Sequence, residues 1–150
     1  MLKLSVKHNN MPNNITIGNI GEELACLYLL NNKFKIIERN ARYPWGEIDI
    51  IAMSRGGTLV FVEVKALKMF YGSVKRSEIC FTPEENLHSA KLAKVKRTSS
   101  LYANSHPELV DDKKGWQIDL LAIEINHQFP EKLDPRELIK CCQVRHYENI

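Results

Sequence analysis

The chain has 150 residues, of which 44% are hydrophobic and 26% charged, and its net charge is +3. This composition is typical of a globular protein, and the length is sufficient for one domain with a sizeable core. It excludes a disordered chain and a strongly basic polycation. Because no run of about 18 apolar residues occurs, we expect no transmembrane helix and no membrane partner.

The cysteines and histidines show no metal-binding spacing. Cys26, Cys80, Cys141 and Cys142 form no C-x-x-C pair, and the last two are adjacent and cannot easily bridge each other. The five histidines are dispersed along the chain, so we expect none of them to bind a metal. Residues 1–17 have neither the apolar core nor the cleavage pattern of a secretory signal. We therefore expect reduced thiols and a cytoplasmic protein.

Hydrophobic periodicity predicts the order helix, three strands, helix and strand, which is typical of an α/β domain with a mixed sheet. We expect residues 1–15 to be a flexible tail and residues 16–150 to form a single domain. The second helix has a predicted N-cap at Thr82, followed by Pro83 and Glu85. The predicted elements are a helix at 18–31, strands at 34–39, 47–53 and 58–66, an irregular loop at 68–81, a helix from 82 to about 104, a polar loop at 104–115, a strand at 116–125 and a short helix at 135–141.

The predicted hairpin at 47–66 is the most informative stretch of the chain. Side chains alternate between the two faces of a strand, so Ile48 and Ile50 are predicted to share one face and Asp49 the other. On the second strand, Glu63 and Lys65 share a face by the same rule. The hairpin thus offers acidic groups and a lysine for one surface of the sheet.

The length of the turn decides whether these acids meet. A three-residue turn at 55–57 pairs residues whose numbers sum to 112, which sets Asp49 opposite Glu63. Opposed carboxylates destabilise a strand pair by about 0.2–1 kcal/mol, and a divalent cation would convert that repulsion into a binding site. The alternative is a solvent-facing edge hairpin in which Glu47 pairs with Lys65. A two-residue turn would shift the register and send Asp49 to the other face.

The first helix carries two further acids, Glu22 and Glu23. Helical spacing groups Glu22 with the small residues Ala25 and Cys26, so this face could lie close to a sheet and bury the carboxylate in part. The alternative is that both acids simply stabilise the positive helix N-terminus, by about 0.3–1 kcal/mol each.

Basic residues are concentrated between Lys65 and Arg97, a stretch that contains eight lysines and arginines but only three glutamates. Such a basic region beside an acidic pair is typical of nucleic-acid binding, although a solvated helix face has the same composition.

Glu22, Asp49 and the segment Glu63-Val64-Lys65 together resemble the PD-(D/E)XK nuclease signature, which has a helix glutamate, a strand aspartate and E-x-K on the next strand. More closely, the chain is similar to the YraN family of uncharacterised bacterial proteins, whose fold resembles that of archaeal Holliday-junction resolvases. The similarity covers most of residues 18–150. It is carried by GNIGEELA at 18–25, GEIDIIA at 46–52, FVEVK at 61–65, Lys91 with Tyr102, Ile118-Asp119, and HYEN at 146–149.

This resemblance implies a restriction-endonuclease-like core, in which a mixed β-sheet is flanked by helices, and metal-assisted hydrolysis of phosphodiester bonds. It implies that Asp49, Glu63 and the Val64 carbonyl bind Mg²⁺ or Mn²⁺. Lys65 would position water or stabilise the transition state, and Glu22 would hold a water or a second metal. The nucleic-acid backbone would be contacted by basic residues of the later helix, namely Lys91, Lys94, Lys96 and Arg97.

Two departures from the family pattern bear on the substrate: the loop at 68–81 is long and basic, and Ala66-Leu67 stands where an arginine often follows E-x-K. The sequence favours a metal-dependent endonuclease acting on DNA rather than RNA, selective for branched or single-stranded forms. A homodimer would supply the two sites that two cuts in a branched substrate need. The alternatives are a nucleic-acid-binding protein with weak or no catalysis on the same fold, and a scaffold protein whose acidic cluster is only a surface feature.

Overall fold

The computed structural model describes residues 17–69, 89–126 and 134–150. None of the helices in these three ranges is long and apolar enough to cross a membrane. The elements in chain order are helix α1 (Ile17–Asn31), strands β1 (Lys35–Tyr43), β2 (Gly46–Met53) and β3 (Leu59–Met69), helix α2 (Ser89–Ser105), a 3₁₀ turn (Pro107–Leu109), strand β4 (Trp116–Asn126), helix α3 (Pro135–Cys141) and strand β5 (Gln143–Tyr147).

The strands form a mixed sheet in the order β1-β2-β3-β4-β5. Strands β3 and β4 run parallel, and every other neighbouring pair is antiparallel. A parallel pair needs a long crossover connection, and α2 lies within it. The α/β class and the mixed sheet flanked by helices are therefore confirmed.

Two apolar clusters, one on each face of the sheet, build the core. On one face α1 and α3 pack on the sheet, through Leu24, Ala25, Cys26, Leu29, Leu138, Ile50, Ala52, Val60, Val62, Leu121, Ile123 and Ile125. On the other face α2 packs on the sheet, through Val95, Tyr102, Ala103, Ala41, Ile48, Ile51, Leu59, Phe61 and Ile118. The sheet is thus the middle of three layers, which explains its nearly continuous apolar strands.

The register of the β2–β3 hairpin is the predicted one. The paired residues run from Met53–Leu59 to Ile50–Val62, and each pair sums to 112. Along β3, Val60 and Val62 face α1 while Leu59 and Phe61 face α2. The alternation predicted for this strand is confirmed, and the face of Glu63 follows from it.

The predicted face of Ile48 is wrong. Ile50 packs in the cluster beneath α1, whereas Ile48 belongs to the cluster beneath α2. The change of face coincides with Asn40 on β1, which has a left-handed backbone with φ of 51°. Asn40 and Asp49 lie between the pairs Arg39–Ile50 and Ala41–Ile48, which keep the same register; the register shift of this strand pair lies between Ile36 and Glu38.

Strand β5 was not predicted from the sequence, and β4 was expected to be the last strand. Its residues, QVRHY, are mostly polar and lack the apolar alternation that marked the other strands. Strand β1 also extends to Tyr43, beyond the predicted end. The loop predicted at 68–81 begins too early, because β3 continues to Met69. The rest of that loop, the predicted tail at 1–15 and the N-cap at Thr82 lie outside the described residues.

Two glycines allow helices to approach the sheet closely. A Cβ atom at Gly21 of α1 would lie 2.4 Å from the Cβ of Ala66 on β3. A Cβ atom at Gly46, where β2 begins, would lie 2.3 Å from Oγ1 of Thr98 on α2. Only glycine fits these contacts without a shift of the neighbouring element.

We predict that Gly21→Ala lowers the free energy of unfolding by about 1–3 kcal/mol, because the added methyl overlaps the side chain of Ala66. Urea unfolding followed by circular dichroism measures the change. Gly18→Ala, at an exposed position of the same helix, is the control and should be neutral or slightly stabilising. Combining Gly21→Ala with Ala66→Gly should recover part of the loss, and simple additivity of the two changes would contradict the proposed overlap.

Candidate metal centre

Asp49 is held where the main chains of β2 and β3 separate. Ser54 N–H donates to the Thr58 carbonyl at 2.9 Å, which marks one hydrogen-bonded pair of the antiparallel ladder. Such pairs recur at every second residue, so a regular ladder would join Val64 N–H to the Ile48 carbonyl. Val64 N–H instead donates to Oδ2 of Asp49 at 2.8 Å. The carboxylate therefore takes the place of a main-chain acceptor.

Glu63 lies one residue before Val64, on the face of β3 that points toward α2. Its side chain is only 5% exposed, and Oε1 forms an ion pair with Nζ of Lys91 from α2. The Lys91 side chain is 54% exposed, so it reaches from the surface down to a buried acid. A buried carboxylate is stable in its charged form only with such a partner.

Burial and the charge of Glu63 raise the pKa of Asp49 to about 6, and the more remote charge of Glu22 adds to the rise. The hydrogen bond from Val64 N–H and the charge of Lys91 oppose it. Burial lowers the pKa of the Lys91 ammonium, but its hydrogen bond to Glu63 and the surrounding acids outweigh this effect and raise it. The site thus holds more negative charge than its nearby lysine neutralises.

The other two predicted catalytic residues belong to different faces of the sheet: Glu22 to α1 on one face, and Lys65 to the opposite face, beneath α2. Glu22 is half-buried on α1 and acts on Asp49 through its charge, whereas Glu23 pairs with Arg39 on β1 at 2.8 Å. Lys65 is half-buried on β3, two residues beyond Glu63 and on the same face by strand alternation. The ion pairs found among the described residues do not include the alternative pair of Glu47 with Lys65.

The donor chemistry of the acidic pair fits Mg²⁺ or Mn²⁺. Both ions prefer carboxylate oxygens, and burial together with the charge of Glu63 raises the pKa of Asp49, a cost to the charged form that a divalent cation would offset. The Val64 carbonyl remains a predicted ligand, since the contact found at this residue involves its N–H group. We refer to Asp49 and Glu63 below as the acidic pair.

The four basic residues predicted to contact nucleic acid divide into two groups. Lys91 pairs with Glu63 and so belongs to the acidic site. Its position in the sequence did not indicate this partner. Lys94, Lys96 and Arg97 are exposed on α2. Lys96 and Arg97 line a shallow depression of about 570 Å³ that also includes Trp116.

A second buried acid, Asp119 on β4, anchors the end of the sheet. It is fully buried; Oδ2 lies 2.7 Å from Nε2 of His146, and Oδ1 accepts from Gln117 Nε2 at 2.8 Å and Asn149 N–H at 3.0 Å. No spacing in the chain predicted a histidine among acidic groups, yet His146, Asp119 and Glu148 have ligand atoms within 4.8 Å of one another. Glu22, Asp49 and Glu63 do not form so close a group among the described residues. Since three hydrogen bonds already satisfy Asp119, its arrangement is that of a structural anchor.

The fold and site define a class: an α/β protein with a mixed sheet, two acids where the β2–β3 hairpin opens, and a helix lysine paired with one of them. The Uncharacterised protein family UPF0102 matches residues 21–123, and the chain belongs to this family. This confirms the relationship to the YraN family that the sequence motifs indicated.

Relatives from distant bacteria support the assignment. A UPF0102 protein of Acaryochloris marina is 30% identical over 132 residues, which cover 83% of this chain and 73% of the relative. One from Persephonella marina is 38% identical over 114 residues, covering 75% and 86%. One from Moorella thermoacetica is 31% identical over 123 residues, covering 82% and 91%.

The raised pKa of Asp49 predicts a pH-dependent effect of Asp49→Asn on the metal-free protein. Well below the ordinary carboxyl pKa of 3.8, Asp49 is protonated in the folded and unfolded states alike and carries no penalty. As pH rises from there to about 6, the unfolded chain loses its proton while the buried carboxyl keeps it, so the wild type loses stability; above about 6 the penalty is constant. Asp49→Asn avoids that penalty and can still accept from Val64 N–H.

We expect Asp49→Asn to be more stable than the wild type by about 1–3 kcal/mol near pH 8, and equally stable near pH 3. Urea unfolding in the presence of EDTA at several pH values measures the difference. A variant that is less stable than the wild type near pH 8 would contradict the electrostatic account of this site.

For the anchor, we predict that Asp119→Ala destabilises the protein by about 2–4 kcal/mol, because it leaves His146, Gln117 and Asn149 N–H without their acceptor. Thermal unfolding and amide hydrogen exchange of β5 provide the measurements. Glu148→Ala, at an exposed position, is the matched control and should change stability by no more than about 0.5 kcal/mol. Equal effects of the two variants would show that Asp119 is not the anchor.

Proposed function

We propose that this protein is a divalent-metal-dependent nuclease that hydrolyses phosphodiester bonds of DNA. The observation that carries the proposal is the Asp49 carboxylate, which Val64 N–H fixes where the regular β2–β3 pairing ends and on which the charge of the neighbouring Glu63 acts. The charge of one acid raises the pKa of the other, and this arrangement is costly unless a cation binds there. The PD-(D/E)XK pattern of the sequence, described above, points to the same chemistry.

Bound Mg²⁺ or Mn²⁺ would supply a Lewis acid for the phosphate and lower the pKa of a water molecule. The chain's own residues would do the rest. Asp49 and Glu63 would hold the cation, and Lys65, on the same face as Glu63, would position the attacking water or stabilise negative charge on the phosphate. Glu22, whose charge acts on Asp49 from α1, would hold a water or a second metal.

The exposed basic residues of α2 suit the binding of a sugar–phosphate backbone. Lys94, Lys96 and Arg97 follow Lys91 along the helix and are exposed to solvent. Contacts of this kind are insensitive to base sequence and weaken as salt concentration rises. They favour a substrate chosen by shape, such as branched or single-stranded DNA. Cleavage of both strands of a branch would further require a homodimer.

A cleavage assay with variants of the acidic pair tests the proposal. With Mn²⁺ and labelled branched, single-stranded and duplex oligonucleotides, we expect Asp49→Asn and Glu63→Gln to reduce cleavage at least about hundredfold, because each removes a charged metal ligand. Lys65→Ala should have a comparable effect on the rate while leaving Mn²⁺ binding intact.

The adjacent acids of α1 provide a matched control. Glu22→Gln should lower the rate, whereas Glu23→Gln, which only loses an ion pair with Arg39 at the surface, should not. Cleavage that persists equally in Asp49→Asn and Glu63→Gln would refute the proposal. DNA binding without cleavage by the wild type, under all metal conditions, would favour the nucleic-acid-binding alternative.

A further inference from the structure

The ion pair between Lys91 and Glu63 gives the acidic site a cation of its own. Nζ of Lys91 contacts Oε1 of Glu63, one member of the acidic pair. The ammonium therefore occupies part of the coordination space that a divalent ion would need around this carboxylate. A divalent ion bound to the same carboxylate would lie close to this ammonium, and the repulsion between the two cations disfavours binding both at once.

The two partners differ in how freely they can move. Glu63 is buried within β3 and is only 5% exposed, whereas the Lys91 side chain is 54% exposed near the first turn of α2. Its four-carbon stem allows the ammonium to leave Glu63 without a movement of the helix. The acid stays in place, and the lysine is the mobile partner.

We propose that Lys91 is a built-in competitor of the metal: it neutralises Glu63 in the metal-free protein and is displaced toward the substrate phosphate when a divalent cation binds. This inference rests on the metal site of the proposed function. It assigns Lys91 a role different from that of Lys94, Lys96 and Arg97, which lie exposed on the same helix. Lys91 is thus a positioning residue that sets the metal affinity of the acidic pair.

Mn²⁺ binding to the full-length protein tests this role without reference to catalysis. We expect Lys91→Met to bind Mn²⁺ about three- to tenfold more tightly than the wild type in isothermal titration calorimetry, because no ammonium has to be displaced. Lys91→Arg keeps a competing cation and should bind Mn²⁺ about as weakly as the wild type. Lys94→Met removes the same charge one helical turn away and should change Mn²⁺ affinity less than about twofold.

The outcomes separate the two proposals. Tighter binding by Lys91→Met alone supports the competitor role. Mn²⁺ binding by the wild type that is unchanged or weakened in Lys91→Met overturns the competitor role while leaving the metal site intact. If the wild type binds no Mn²⁺, or if Glu63→Gln binds it as well as the wild type does, the metal site fails and the competitor role fails with it. Circular dichroism of Lys91→Met and Lys91→Arg checks that both variants are folded.

Discussion

The hydrogen bond from Val64 N–H to the Asp49 carboxylate is the interaction on which the site depends. It ends the regular pairing of β2 with β3 and fixes an acid beside the strand that carries Glu63. Because the amide is satisfied by a side chain, the strands can separate without an unpaired buried donor. Two negative groups are thereby held together, and the ammonium of Lys91 is drawn to one of them.

Local rules explain how much of this fold could be predicted. The turn at 55–57 set the hairpin register, and strand alternation placed Glu63 on the face opposite to that of Val62, because both depend on neighbours in the chain. Alternation failed at Ile48, where the left-handed backbone of Asn40 on the neighbouring strand changes the pleat. Strand β5 was missed because its polar residues are stabilised by partners on β4, including buried Asp119. Such partners belong to the tertiary structure and leave no periodic pattern.

The same local rules decide how much of the candidate site could be predicted. The sequence alone predicted that Asp49 lies opposite Glu63, because a single turn separates their strands. The partner of Lys91 could not be predicted, because a lysine on a helix indicates only a charged surface. Its proximity to Glu63 depends on how α2 crosses the sheet. The same limit applied to His146, which lies far from Asp119 in sequence but bonds to it across β4 and β5.

The close contacts at Gly21 and Gly46 have a mechanical consequence. Each glycine removes the space of a side chain between a helix and the sheet, with Ala66 on one face and Thr98 on the other. Interfaces so tightly packed resist sliding, because any shift creates overlap or a void. The two helices and the hairpin therefore behave as one rigid block. A bulky or bent ligand would then be accommodated by rotation of long surface side chains.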